Sequence, residues 1–73
     1  MTILRLLKNS PLEPEDIKRL VLAYQQTLHA LSLRERDDPL TEIVAKKVIE
    51  IRQTGIRDPA QICRLAIKGL GLP

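Results

Sequence analysis

A chain of 73 residues, 44% hydrophobic and 29% charged, leaves room for a single domain over 1–73 and for no separate catalytic lobe. Its core must be aliphatic, because thirteen Leu, eight Ile and three Val stand beside one Tyr, with no Phe and no Trp. One cysteine and one histidine exclude an intramolecular disulfide and a structural zinc site, and the net charge of +3 lies wholly in residues 39–73, which is a modest bias rather than a nucleic-acid tail.

The first twelve residues read as an apolar arm. Ile3, Leu6 and Leu7 suit a short helix, an added strand or a frayed end, and the pattern does not choose among them. The run is too short for a transmembrane helix and lacks a small-residue cleavage site, so the expectation is a cytoplasmic protein without a membrane partner.

Three of the five prolines follow an acidic residue and open a helical pattern: Glu13-Pro14, Asp38-Pro39 and Asp58-Pro59. Each reads as N-cap followed by the first helical position, where the missing proline N–H costs nothing. A helix over about 14–33 carries Ile17, Leu20, Val21, Tyr24, Leu28 and Leu31 as one stripe, with the only aromatic ring in its middle. A second helix over about 39–53 carries Leu40, Ile43, Val44, Val48 and Ile51, and stops at Thr54-Gly55, where glycine suits a left-handed ending with Ile56 against Ile51. A third over about 59–70 carries Ile62, Leu65, Ala66 and Leu70, with Asp58 and Gln61 in capping-box spacing. The expected architecture is all-α, a small three-helix bundle with an apolar N-terminal arm.

No residue set points to catalysis. His29 has no orienting partner or nucleophile nominated by the sequence, and reads as a surface or interface side chain near a helix C-terminus. Cys63, beside core position Ile62, reads as a small buried hydrophobe, with a reactive thiol as the alternative. The carboxylates are spread over caps and exposed turns. The expectation is therefore no enzyme, no metal and no cofactor.

A surface feature is sharper. From Leu20 to Leu33 there is no charge, and Leu22, Gln26, His29 and Leu33 form a second line opposite much of the core stripe. A monomeric surface helix normally carries Lys or Glu there. Either the N-terminal arm covers that face, or a second copy does. A core this small favours the second copy, a homodimer or small homo-oligomer, with an unidentified protein as the other candidate partner. The alternative function is a nucleic-acid-binding regulator using a helix–turn–helix-like unit at 39–70, with Arg57, Gln61, Arg64 and Lys68 as its contact face. Against it stand the absence of a basic arm and the small net charge.

The run Arg36-Asp37-Asp38-Pro39-Leu40-Thr41-Glu42, the turn Thr54-Gly55-Ile56-Arg57-Asp58-Pro59 and the pattern Ile62, Ala66, Leu70-Gly71 resemble short helical proteins common in alphaproteobacteria. Those proteins carry a recurrent Gly-Glu-Arg-Asp-Pro turn between two amphipathic helices, and here Ile56 stands in place of the acidic residue. The resemblance covers about 13–72. It implies the helical architecture and, since that family has no assigned activity, brings no catalytic or binding residue.

Overall fold

Four helices form among the residues that the computed structural model describes, 1–34 and 38–71: α1 (Thr2–Leu6), α2 (Pro14–Ala30), α3 (Pro39–Gln53) and α4 (Pro59–Leu70). No strand occurs among them. Arg36 and Asp37, quoted for the resemblance, and Leu72 at its end lie outside the described residues.

The three long helices start where proline places them. Each has Pro at its first position and an extended acidic residue before it. Only Asp38 completes a cap. Its Oδ1 accepts the Thr41 N–H at 2.9 Å, and its own N–H donates to Thr41 Oγ1 at 3.1 Å. Glu13 and Asp58 form no side-chain cap, so the box expected of Asp58 and Gln61 does not form. The cap backbone differs between the two aspartates, with φ and ψ of −70° and 119° at Asp58 against −127° and 172° at Asp38. Proline therefore sets these starts more than side-chain capping does.

The helix expected over 14–33 ends three residues early, at Ala30. Ser32 adopts φ +57°, donating to His29 O at 3.1 Å, and Leu33 donates to Leu28 O at 2.8 Å. These are both bonds of a Schellman ending, with serine in the left-handed position that glycine normally takes. Gly55 serves α3 as expected: its φ is +103° and its N–H donates to Arg52 O at 3.0 Å. Ile51 and Ile56 both pack, half-buried, on the core.

The expected count of three helices becomes four because the arm is a helix that packs on α3 and α2. Ile3 is fully buried and Leu7 nearly so, in one cluster with Leu20, Tyr24, Leu28, Val44, Val48 and Ile62. A helix of five residues has too few internal bonds to persist alone, so this burial is what holds it. Tyr24 is the largest fully buried side chain, in the middle of the packing.

On α3 the buried line is turned from the expected one. Thr41, Val44, Ala45 and Val48 face inward, whereas Leu40 and Ile43 are 44% and 51% exposed. The cause is polar. Thr41 Oγ1 lies 3.2 Å from Thr2 Oγ1 in the interior, and the capping box fixes its rotamer. The small Ala45, one turn on, suits close helix approach. Thr27 on α2 is buried the same way, its hydroxyl donating to Ala23 O at 2.7 Å.

Two substitutions check this packing by denaturant unfolding. Ser32→Gly relieves the left-handed strain and is expected to stabilise by about 0.5–1 kcal/mol, where a loss of stability would refute the Schellman assignment. Tyr24→Ala is expected to cost about 3–5 kcal/mol, as for other large core rings, which is enough to unfold a marginal domain.

Candidate functional site

The structure separates the four residues of the uncharged line. Leu22, Gln26 and His29 lie on the outer face of α2, away from Leu20, Tyr24 and Leu28, and all three are exposed, Leu22 by 45%. Leu33 does not continue the line. The turn at Ser32 folds it back, half-buried against the core, so the expected stripe ends at His29. Leu33 still meets that face from the side, lining a shallow depression with Gln25, Leu28 and His29. It also borders a second hollow with Leu40 and Thr41.

The arm does not cover the line. It lies on α3 and the inner side of α2, and leaves Leu22 in solvent. Exposed apolar residues that the sequence reading placed in the core, Leu40 and Ile43, add a second bare patch on α3. Met1, just before α1, and Leu4 on it are also nearly half exposed. The signal for α3 was present in Thr41 and Ala45, since a small polar–apolar pair at i, i+4 marks close approach. It was outweighed by the larger side chains beside it.

The remaining candidates stay apart. The His29 ring makes no hydrogen bond or ion pair among the described residues, and Cys63 is half-buried on α4. No group of three or more His, Cys, Asp or Glu able to hold a metal ion occurs among the described residues. Nor, among them, is any helix long and apolar enough to cross a membrane. Arg57, Gln61, Arg64 and Lys68, the alternative contact face, are all exposed, with the last three on one side of α4.

One polar cluster sits at the edge of the core. Asp16 Oδ1 receives Arg52 Nη2 at 3.2 Å and Arg19 Nη1 at 3.6 Å, joining the start of α2 to the end of α3. The Asp16 and Arg52 side chains are 16% and 14% exposed, so the pair is largely shielded from water. Removing the carboxylate leaves a shielded guanidinium without its counter-charge. Asp16→Ala is expected to destabilise by about 1–3 kcal/mol, less than for a fully buried pair, while Glu42→Ala at the exposed Lys46 pair costs about 0.5 kcal/mol or less. Paired thermal melts of the two variants read that contrast.

Compared with protein-family models, curated proteins and solved structures, the chain matches none of them.

Proposed function

We propose that this chain is a small non-enzymatic helical protein that acts through protein–protein contacts and pairs with a second copy through the outer face of α2. The observation that carries the reading is Leu22, 45% exposed at the start of the stretch without charge between Arg19 and Arg34. Gln26 and His29 follow it one and two turns on, and their polar heads would fix the register of a paired helix. The N-terminal segment, which could have covered this face, is committed to the core instead. A core without Phe or Trp gains most from burying further aliphatic surface, and pairing supplies it. The kinship with short alphaproteobacterial helical proteins and a cytoplasmic location belong to the same proposal. The first rests on the turn at 54–59, and the second is supported by the described helices, none of which is long and apolar enough to cross a membrane.

The test is the mass in solution. Light scattering at tens of micromolar should give twice the 8.3 kDa of one chain. Leu22→Lys with Gln26→Lys should return it to one chain with the helical signal intact. Leu33 is unsuitable for this purpose, because it packs on the core. A single-chain mass for the unaltered protein, or a doubled mass that survives both lysines, would overturn the pairing.

A further inference from the structure

The basic residues of the α3–α4 half fall into two sets. Lys46 is paired with Glu42 at 3.3 Å, Lys47 with Glu50 at 3.6 Å and Arg52 with Asp16 at 3.2 Å. Arg57, Arg64 and Lys68 are exposed and make no ion pair with any described residue. Two of these three unpaired cations, Arg64 and Lys68, lie on α4, and Arg57 stands two residues ahead of it. Arg64 and Lys68 are one turn apart, Gln61 lies one turn before them, and these three span about 10 Å of α4. Within α4 there is no carboxylate, and Asp58, just ahead of it, leaves the first-turn amides without a side-chain cap.

We infer that α4 is the contact helix for double-stranded DNA, bound through its phosphates. Charge complementarity alone would admit any polyanion, and three further observations narrow the choice. The solvent side of α4 carries small or neutral residues, Ala60 and Gln61, between Arg57 and Arg64, so this end of the helix can approach a groove closely. A B-form major groove about 12 Å wide admits one helix. None of the large exposed hydrophobic side chains lies on α4, so an acidic protein partner would find no apolar anchor. The only aromatic ring, Tyr24, is fully buried, which removes the stacking platform that single strands require. Behind α4, α2 and α3 form a rigid support, and α1 is not in contact with it. The inference is independent of the pairing surface, which lies on a different helix.

The experiment is titration of the full chain, to about 100 µM, into a fluorescent mixed-sequence duplex at about 50 and 200 mM salt. Three phosphate contacts predict a slope of about −2.7 in log affinity against log salt, an affinity drop of about 40-fold over that range. Arg64→Gln with Lys68→Gln should reduce the drop to about 3–4-fold, and Arg57→Gln alone, outside the helix, to about 12-fold. Lys8→Gln with Lys46→Gln removes the same two charges elsewhere and should leave the slope in place. No binding at about 50 mM salt would overturn the inference, as would a slope indifferent to Arg64 and Lys68. Poly-glutamate binding as tightly as the duplex would also overturn it, in favour of an acidic protein surface.

Discussion

The structure depends on the burial of Ile3 and Leu7 between the long helices. Three helices built from Leu, Ile, Val and one Tyr do not fill their own interior, and the N-terminal segment closes it. Full burial of two such side chains is worth about 3–6 kcal/mol, a large share of what a small domain retains. The Thr2–Thr41 hydroxyl contact ties that closure to α3, and Thr41 is also the partner of Asp38 in the capping box of α3. Cap and core are thereby joined at one place.

What α1 does inside decides what α2 shows outside. Had the arm lain across Leu22, the uncharged face would be an intramolecular seam. Because it lies on α3, the face of Leu22, Gln26 and His29 remains open. The Schellman turn at Ser32 then limits this face by withdrawing Leu33 to the core. The resulting surface is short and semi-polar, suited to pairing with a like helix more than to gripping a large apolar ligand.

The parts of the fold legible in sequence are those fixed by neighbours in the chain. Pro14, Pro39 and Pro59 each stand at the first position of a helix, and Gly55 ends α3 with positive φ, because proline and glycine act locally. The stripe through Leu20, Tyr24 and Leu28 is buried as its spacing predicts. What escaped the reading depends on contacts distant in sequence. Ser32 in a left-handed conformation has no composition signal that separates it from a helical serine. The turn of α3 that exposes Leu40 and Ile43 follows from Thr2, thirty-nine residues from Thr41. The helix at 2–6 is too short to announce itself by period. Of the candidate surface, exposure of Leu22, Gln26 and His29 was legible and the withdrawal of Leu33 was not.

The dependence of the whole on the N-terminal helix is the claim to test most directly. Ile3→Ala and Leu7→Ala, each followed by denaturant unfolding of the full chain, measure it. Burial in a shared core predicts a loss of about 2–4 kcal/mol for each. A loss below about 0.5 kcal/mol, the value for a surface position, would mean that the segment is an external arm and that α2–α4 fold without it.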